Sequence, residues 1–464
     1  MPRRVLVVAY NFPPVGGVGI LRTLKYVTYL PASGWEPIVL TARNPGVAMR
    51  DEDSERNLPP GLRVERAFSP EPTKLRRVLG LAARRLWRAG GPARGRGAGA
   101  AGTVADASVT PRRASPWLSR LSTAWVGATH LMFYPDEQIA WALFALRRGL
   151  AVVRNTPIDV VYSSSAPISG HLAAALIAHK AGLPWVADFR DPWIGNAFAV
   201  RPRGLHAYLQ RRIESRIVRL ADRVVFPTFG VAEAYARRYP RAAHRFVVIP
   251  NGYDRTDFPD RPASRRPASD GRFHLAYGGS LYGERELELF LDGLELLVAR
   301  RPEVRDRLTV DFIGWLSLHN QAIAGRYSAP TRLGPILDFA GFLPHREAVA
   351  RLAAADALLQ VIGDGPGKGQ IQGAKLMEYV GLDRPILAVV PEGDARALLR
   401  ELDWGIVADP TPEGVADGIE RLLAAPRPTR PADPEGRYDR VNLTRRLAGL
   451  LDEVVAERTG QVGV

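Results

Sequence analysis

Short apolar runs alternate with amphipathic segments along most of the chain, and glycine-rich or proline-rich turns separate them. Residues 5–9 are continuously apolar, as expected of a strand that is buried on both faces of a parallel sheet. A glycine-rich turn, a helical pattern through residue 30 and a second strand at residues 37–40 follow. A strand, turn, helix and strand in this order predict the opening βαβ unit of a doubly wound domain.

The same alternation continues to the end of the chain. Further strands are predicted at residues 159–162, 184–187, 220–226, 273–277, 308–313, 337–339, 357–361 and 386–390, and helices at 170–181, 231–238, 286–299, 345–355 and 370–380. A polar, proline-rich stretch at residues 254–271 separates two halves and is typical of a linker. The pattern therefore predicts an α/β protein with two facing, Rossmann-like, doubly wound domains and a cleft between them.

One insertion, at about residues 70–116, interrupts this alternation. Residues 72–96 contain eight basic and no acidic side chains, with apolar residues at helical spacing, and a glycine-rich stretch of low complexity lies at residues 90–102. A basic amphipathic helix of this kind would bind an anionic membrane surface. The alternative is a solvated insertion without a partner, because runs of basic residues are often only solvated faces.

Composition narrows the classes of function. The chain has 464 residues, a net charge of +15, no cysteine and eight histidines, which show no metal-ligand spacing. A disulfide framework and a thiol nucleophile are excluded, and we expect neither a metal nor another cofactor. The positive charge favours phosphorylated ligands, anionic membranes or polyanions without choosing among them. Without a signal peptide or a membrane-spanning run, we expect a cytoplasmic protein, with peripheral contact to the inner face of the plasma membrane left open.

Residues 363–391 carry the first candidate site. Four glycines between residues 363 and 369 precede the predicted helix at 370–380. Glycines let the backbone approach a ligand closely, and the first turn of a helix attracts anions. Lys375 and Glu378 share one face of that helix, so the carboxylate could accept both hydroxyls of a ribose while the lysine meets a phosphate. The alternative is an ordinary ion pair on the surface.

Asp188, Arg190 and Asp191 form the second candidate site, directly after the predicted strand at 184–187. Ligands of open α/β sheets bind at the carboxyl ends of the strands, which favours a functional interpretation over an internal ion pair. The glycine turn after the first strand is not a G-x-G-x-x-G motif, and no acidic residue ends the second strand. A nicotinamide or flavin dinucleotide site is therefore only weakly supported.

Six segments resemble one family of enzymes in their order and spacing. They are YNFPPVGGVGILRTLKYVTYLPASGWEPIVLT, PWVADFRDPW, VIPNGYD, YGGSLYGER, LDFAGFLPHREAVARLAAADALL and GAKLMEYVGLDRPILAV. The chain resembles glycosyltransferases of the GT-B fold, specifically the retaining nucleotide-sugar glycosyltransferases of family 4. The resemblance implies an acceptor-binding domain at residues 1–253, a linker at 254–271, a donor-binding domain at 272–435 and a helical segment at 436–464 that packs back on the two domains.

The resemblance also implies roles for single residues. Glu378 would hold the ribose hydroxyls of the donor, and Gly16 and Gly17 would lie near its diphosphate and transferred sugar. Arg285 is the first candidate for the cation that meets the diphosphate, and Lys375 is the second.

Three other positions complete the implied site. Ser280, in the same loop as Arg285, is a further donor-binding candidate. The family has an acid where this chain has Gln370, which can still hydrogen-bond sugar hydroxyls but carries no charge. Arg190 stands where the family commonly has a histidine in the cleft.

The function implied is transfer of a sugar from a nucleotide diphosphate sugar to an acceptor hydroxyl, with retention and without a metal. Asp188 or Asp191 would orient the acceptor or accept a proton, beside Arg190. The acceptor is expected to be a carbohydrate, a lipid-linked intermediate or a small molecule, in surface polysaccharide, glycolipid or secondary-metabolite synthesis; nucleic acid is not an expected partner. The alternatives are a nucleotide-sugar 2-epimerase of the same fold and a non-catalytic protein that binds anionic membranes or polyanions.

Overall fold

The computed structural model describes residues 2–46, 51–56, 58–70, 134–197, 202–258, 271–279, 281, 286–425 and 428–460. The predicted membrane-binding run at residues 72–96 lies outside the described residues, as do Ser280 and Arg285. Among the described helices, none is long and apolar enough to cross a bilayer.

The first lobe is built on a seven-stranded parallel sheet. Its strands are β1 (Arg3–Val8), β2 (Trp35–Ala42), β3 (Arg63–Ala67), β4 (Val160–Ser165), β5 (Trp185–Phe189), β6 (Arg223–Phe226) and β7 (Phe246–Val248), in the order β3-β2-β1-β4-β5-β6-β7. Strands β4 and β5 are buried along their whole length, and β1 is buried from Val5 onward, because helices cover both faces of the sheet.

Six helices of the described residues in the first half of the chain belong to this lobe. They are α1 (Val18–Tyr29), α2 (Glu52–Arg56), α3 (Ile139–Asn155), α4 (Ser169–Ala181), α5 (Gly204–Leu220) and α6 (Phe229–Arg238). On one face of the sheet, Trp141 of α3, Ile177 of α4 and Tyr235 of α6 share a buried cluster. On the other face, Tyr26 and Val27 of α1 belong to a second cluster.

The second lobe repeats this plan with a six-stranded parallel sheet. Its strands are β8 (Phe273–Gly278), β9 (Leu308–Ile313), β10 (Leu337–Gly341), β11 (Ala357–Val361), β12 (Ile386–Val389) and β13 (Ile406–Ala408), in the order β10-β9-β8-β11-β12-β13. Its helices are α7 (Glu286–Arg300), α8 (Val304–Arg307), α9 (Leu318–Tyr327), α10 (His345–Ala354), α11 (Ala374–Gly381), α12 (Asp394–Leu402) and α13 (Pro412–Ala424). The prediction of two doubly wound α/β lobes is confirmed.

The last helix, α14 (Arg440–Thr459), returns from the second lobe to the first. Its residues Leu443, Leu447 and Leu451 are buried in the same cluster as Tyr26 of α1. The chain thus crosses between the lobes twice, and α14 is part of the first lobe in its packing.

The structure adds to the predicted elements and corrects two of them. Strands β3, β7 and β13 were missed, because β3 (RVERA) is a polar edge strand and β7 and β13 are only three residues long. The strand predicted at residues 220–226 begins at residue 223, because Leu220 is the last residue of α5. The helix predicted at residues 370–380 begins at residue 374. Gly373, with φ of 76°, lies outside helical geometry, and residues 368–370 form a separate 3₁₀ turn.

Candidate active site between the two lobes

A cavity of about 400 Å³ lies between the lobes, and residues of both line it. The first lobe contributes the start of α1 and the loops after β5, β6 and β7, and the second contributes the loop after β11 and the start of α10. These are positions beyond the carboxyl ends of parallel strands, where open α/β sheets bind ligands. Polar residues of the lining are Arg22, Lys25, Arg190, Asp191, Asn196, Thr228, Asn251, Asp254, Asp257, His345, Gln370, Gln372, Glu378 and Arg440.

Arg22, on α1, is held by a complete set of acceptors. Its Nε and Nη2 donate to the two carboxylate oxygens of Asp188 over 2.7 and 3.1 Å, and its Nη1 and Nη2 donate to the carbonyl oxygens of Pro250 and Ile249, each over 2.9 Å. Burial opposes the charge on the guanidinium, but the Asp188 carboxylate outweighs it and raises the pKa of Arg22 above its ordinary value. Arg22 therefore ties α1 to β5 and to the loop after β7.

Asp188 is the other half of this buried pair. It is 0% exposed, does not line the cavity, and accepts a further hydrogen bond from the Tyr162 hydroxyl. Asp188 was predicted to be a catalytic residue, because it ends a strand at the ligand-binding edge of the sheet. Its place in the structure instead favours a role in positioning Arg22, since both of its oxygens are already occupied.

Lys25, one turn after Arg22, is paired in a similar way. Its Nζ lies 2.6 Å from Asp254 Oδ2 and 2.6 Å from Asp257 Oδ1, both in the segment that begins the crossing to the second lobe. Tyr29 donates to the same Asp254 carboxylate over 2.6 Å. Burial of Asp254 favours its neutral form, but hydrogen bonds from Lys25, Tyr29 and Thr256 outweigh this and lower the pKa of Asp254.

Arg190 and Asp191 line the cavity from the loop after β5. Arg190 Nη1 donates to the carbonyl oxygen of Gly19 in the first turn of α1, and its Nε lies 3.6 Å from Asp191 Oδ2. The Asp191 side chain is 62% exposed. Of the two predicted carboxylates, Asp191 is therefore the one that a ligand in the cavity can reach.

Glu214, a buried residue of α5, fixes this loop from behind. Its Oε2 accepts from the Ile194 backbone N–H over 3.0 Å and from the Tyr235 hydroxyl over 2.8 Å, and the Tyr235 hydroxyl oxygen in turn accepts from the Trp193 N–H over 3.1 Å. Burial raises the pKa of Glu214, against the lowering effect of these hydrogen bonds and of Arg238.

The glycine-rich loop after β11 brings the lobes together. Gly365 and Gly367 have φ of 149° and 82°, a region that favours glycine. A Cβ at Gly367 would lie 3.0 Å from the carbonyl oxygen of Gly195, so the loop rests directly on the first lobe. Gln370 follows in the 3₁₀ turn and lines the cavity.

Glu378 lines the cavity from α11, on the side of the second lobe. Burial raises the pKa of its carboxyl group, and the charges of His345, Lys375 and Arg440 oppose that rise. Among the described residues, none donates a hydrogen bond to this carboxylate. The carboxylate is thus a largely desolvated acceptor without a protein donor, at a position open to a ligand.

Lys375 lies one turn before Glu378 but outside the cavity lining. Its Nζ is 2.6 Å from the Tyr277 hydroxyl and 4.3 Å from the centre of that ring. Burial lowers the pKa of Lys375 to about 8, partly offset by Glu378 and Glu286. A Cβ at Gly279 would lie 2.6 Å from the same nitrogen, so the lysine supports the backbone after β8.

The remaining predicted residues are placed as follows. Gly16 and Gly17 precede α1, and Gly17 is its N-cap with φ of 104°, but the cavity lining begins at Gly19. Ser280 and Arg285 lie outside the described residues. The structure therefore brings Arg190, Asp191, Gln370 and Glu378 together around one cavity.

Sequence reasoning missed several residues that line the cavity. Arg22 and Lys25 are three apart on a predicted helix, and this spacing was a usable signal for a charged face. Asp439 is the N-cap of α14, because its side chain accepts a hydrogen bond from the Val441 N–H. Arg440 therefore lies in the first turn of that helix. Nothing in the sequence indicates that Arg440 would be buried between the lobes.

Among the described residues, no cluster of three or more histidine, aspartate or glutamate side chains could hold a metal ion. The polar lining consists instead of arginine, lysine, carboxylate and amide side chains, which suits an organic anion or a sugar.

Comparison with known proteins finds similarity to one family of sequences. The sequence model described as Glycosyltransferase Family 4 matches residues 106–257. The D-inositol 3-phosphate glycosyltransferase of Nocardiopsis dassonvillei is 26% identical over 223 residues, which are 46% of this chain and 51% of that protein. The enzyme of the same name from Geodermatophilus obscurus is 27% identical over 225 residues, 46% of this chain and 47% of that protein. The chain spans about half the length of these curated relatives.

Solved structures match over nearly the whole chain. Anabaena HepE, determined in complex with UDP, has a TM-score of 0.56 at 13% identity, covering 99% of each chain. The UDP-GlcNAc 2-epimerase of Methanocaldococcus jannaschii has a TM-score of 0.53 at 11% identity, covering 97% of this chain and 99% of that one. At such identities the likeness shows the fold alone. The predicted GT-B fold and the resemblance to family 4 glycosyltransferases are confirmed.

Proposed function

We propose that this chain, with its GT-B fold and its family 4 match in the first lobe, transfers a sugar from a nucleotide diphosphate sugar to an acceptor hydroxyl in the cleft. The observation that carries the proposal is Glu378. Its carboxylate lines the interlobe cavity, is desolvated, and receives no hydrogen bond from the described residues. A carboxylate with two free oxygens suits a ribose, whose adjacent hydroxyls can each donate one hydrogen bond.

The charge that develops on the leaving diphosphate needs compensation in a closed cleft. We assign this role to Arg285 first, together with backbone N–H groups of the glycine-rich loop before α11. Lys375 is the second candidate, and it would have to leave the Tyr277 hydroxyl to reach a ligand. Ser280 and Gln370 would contribute hydrogen bonds to the donor. No metal or other cofactor is part of this proposal.

The acceptor would enter on the side of the first lobe. Asp191 would orient its hydroxyl, and Arg190 would hold the start of α1, with Gly16 and Gly17 before it, near the transferred sugar. In the proposed reaction the bond from the anomeric carbon to the diphosphate oxygen breaks and a bond to the acceptor oxygen forms on the same face. Attack on that face retains the configuration, and the acceptor proton passes to the leaving phosphate.

The donor class is proposed from what the neighbours bind. HepE was solved with UDP and with UDP-glucose, and the epimerase is named for a UDP-sugar, so a UDP-sugar is the first donor to test. Surface polysaccharide, glycolipid or secondary-metabolite synthesis is the proposed setting. Contact with an anionic membrane through residues 72–96, and a cytoplasmic location, are parts of the same proposal.

Thermal stabilisation by a panel of UDP-, GDP- and dTDP-sugars tests the donor assignment. A ligand that binds only the native state raises stability by RT ln(1 + [L]/Kd), or about 2.7 kcal/mol at a hundredfold excess over Kd. We expect one nucleotide series to raise Tm at millimolar concentration. A panel in which no nucleotide sugar raises Tm would contradict the proposal.

Glu378→Ala tests the ribose contact. Loss of two hydrogen bonds to a charged group, at about 1.5–3 kcal/mol each, should weaken donor binding by about 100-fold or more in isothermal titration. Glu347→Ala, which removes an exposed carboxylate on α10, is the matched control and should bind the donor as the wild type does. Equal donor affinity in the two variants would remove Glu378 from the site.

A nucleotide-sugar 2-epimerase is the second candidate, because the Methanocaldococcus jannaschii epimerase shares the fold. An epimerase acts on the donor alone, whereas a transferase releases the nucleoside diphosphate in proportion to acceptor consumed. Release of UDP that requires an added acceptor would favour transfer. Epimerised UDP-sugar formed without any acceptor would favour the alternative.

A further inference from the structure

Arg440 is the first residue of α14, at the point where the chain returns to the first lobe. Its backbone N–H donates to the carbonyl oxygen of Tyr253 over 2.8 Å, and Asp439 before it caps the helix. Leu443 and Leu447 then anchor α14 in the core of the first lobe. The position of Arg440 is therefore fixed by the backbone and by packing one turn further on.

The side chain of Arg440 reaches the cavity that Glu378 lines from the opposite lobe. The residue is only 6% exposed. Among the described residues, its guanidinium makes neither a hydrogen bond nor an ion pair, and its Nη1 is fully buried without a partner. Buried arginines are normally paired, because an uncompensated buried charge is costly.

Among the described residues, no neighbouring carboxylate pairs with the Arg440 guanidinium. Tyr26, Arg22, Asp188 and Asp254 act on Arg440 electrostatically, and Glu378 does so from α11. Asp188 is bonded to Arg22 and Tyr162, and Asp254 to Lys25 and Tyr29, so neither has turned to Arg440. Burial lowers the pKa of Arg440 to about 10, which still leaves the group charged at neutral pH.

We propose that Arg440 binds a phosphate group of a substrate in the interlobe cavity. The planar guanidinium offers a fork of N–H donors that matches two phosphate oxygens, and it lies on a wall of the cavity where protein acceptors are lacking. The phosphate would belong either to the donor diphosphate or to a phosphorylated acceptor. The inference rests on the proposed function only for the identity of the molecule that carries this phosphate.

Arg440→Leu is the informative substitution, because an unpaired buried charge is replaced by an apolar side chain. We expect Tm without ligand to be unchanged or raised, as Leu443 and Leu447 still anchor the helix. Arg445→Leu, at an exposed position of the same helix, is the control. Arg440→Lys keeps the charge without the fork and should give an intermediate affinity. A fall in Tm of Arg440→Leu as large as that of Arg22→Leu would overturn the proposal, since it would show that Arg440 is already paired.

Calorimetric titrations with three probes separate the two sources of phosphate. If the donor diphosphate contacts Arg440, the Leu variant should bind UDP about 10- to 100-fold more weakly and bind uridine unchanged. If the acceptor supplies the phosphate, UDP binding should be unchanged, and inorganic phosphate should bind the UDP-saturated wild type but not the variant. Equal binding of UDP and of inorganic phosphate by variant and wild type would overturn the proposal.

The same titrations distinguish failure of the phosphate-site proposal from failure of the sugar-transfer proposal. Inorganic phosphate can be titrated into the free protein. Binding that depends on Arg440 in a protein that no nucleotide sugar stabilises would retain the phosphate site and remove the transfer proposal. If nucleotide sugars stabilise the protein but the Leu variant and the wild type bind UDP and inorganic phosphate equally, the transfer proposal is retained and the phosphate site is removed.

Discussion

Charged groups on the two sides of the cleft differ in whether other protein groups pair with them. On the first lobe, Arg22 is bonded to Asp188 and Lys25 to Asp254, so these charges are neutralised within the protein. On the second lobe, Glu378 has no donor among the described residues, and the buried Gln372 Oε1 has none either. Arg440, carried by α14, shares this unpaired character although its helix packs on the first lobe.

This difference distinguishes charged groups that stabilise the fold from charged groups that could bind a ligand. A buried ion pair that is fully hydrogen-bonded holds elements together, whereas a buried polar group left unpaired lowers stability unless a ligand completes it. The paired groups around Arg22 join α1, β5 and the interlobe crossing. The unpaired groups are the ones that we propose to contact a ligand. Four substitutions test this distinction, in order of decreasing effect on folding stability.

Arg22→Leu should have the largest effect. The substitution leaves the Asp188 carboxylate buried at 0% exposure with two of its hydrogen bonds lost, at a cost of about 3–5 kcal/mol in the free energy of unfolding. Urea denaturation followed by circular dichroism measures the loss. An Arg22→Leu protein as stable as the wild type would show that the first-lobe pair is not structural.

Glu378→Gln should act in the opposite direction. Burial raises the pKa of Glu378 above the 4.5 of the unfolded chain, so the native state holds this proton more tightly. As pH rises from 4.5 through the folded pKa, the unfolded state binds fewer protons, and wild-type stability falls. The glutamine variant lacks this loss, so its advantage over the wild type should be larger at pH 7 than at pH 4 in thermal unfolding. A constant difference across that range would contradict the raised pKa.

Asp394→Ala tests a contact between the lobes. Asp394, at the start of α12, accepts from the Gly230 N–H in the first turn of α6 over 2.8 Å. Losing this cap-like bond should cost about 1 kcal/mol, which corresponds to about fivefold weaker binding of a donor that needs the closed cleft. Titration calorimetry measures it, with Glu392→Ala at an exposed neighbouring position as the control. Equal donor affinity in both variants would show that the contact does not hold the lobes together.

Asp191→Asn should change stability least. Its side chain is 62% exposed, so the free energy of unfolding should stay within about 0.5 kcal/mol of the wild type. Because Asp191 is proposed to orient the acceptor hydroxyl, kcat should nevertheless fall about 100-fold or more. An unchanged kcat would leave the first lobe without a catalytic carboxylate among the predicted residues.

Much of the fold could be predicted from the sequence, because the patterns that indicate its strands and helices are local. Continuous apolar runs such as residues 5–9 and 386–390 predicted buried parallel strands, and both were confirmed within two residues. The short strand β13 and the edge strand β3 were missed because an edge or a three-residue strand needs no continuous apolar run. The start of α11 was misplaced because the conformation of Gly373 depends on its surroundings.

Only part of the candidate site could be predicted from the sequence. Glu378 and Asp191 were found because each follows a recognisable strand or loop, and both line the cavity. Asp188 looked equivalent to Asp191 in sequence, because the two lie three residues apart and Arg190 lies between them. Only the packing of α1 over β5 distinguishes them, because it places Arg22 against Asp188 and leaves Asp191 exposed.

The order of apolar runs and glycine turns by itself determined two doubly wound lobes and the stretch that carries Glu378, because backbone geometry and burial pattern repeat over short distances. Which charges pair was decided only in three dimensions. Residues more than 160 positions apart, such as Arg22 and Asp188, meet through the stacking of helix on sheet. The return of α14 to the first lobe brings Arg440 to the cavity, and no local pattern encodes that meeting.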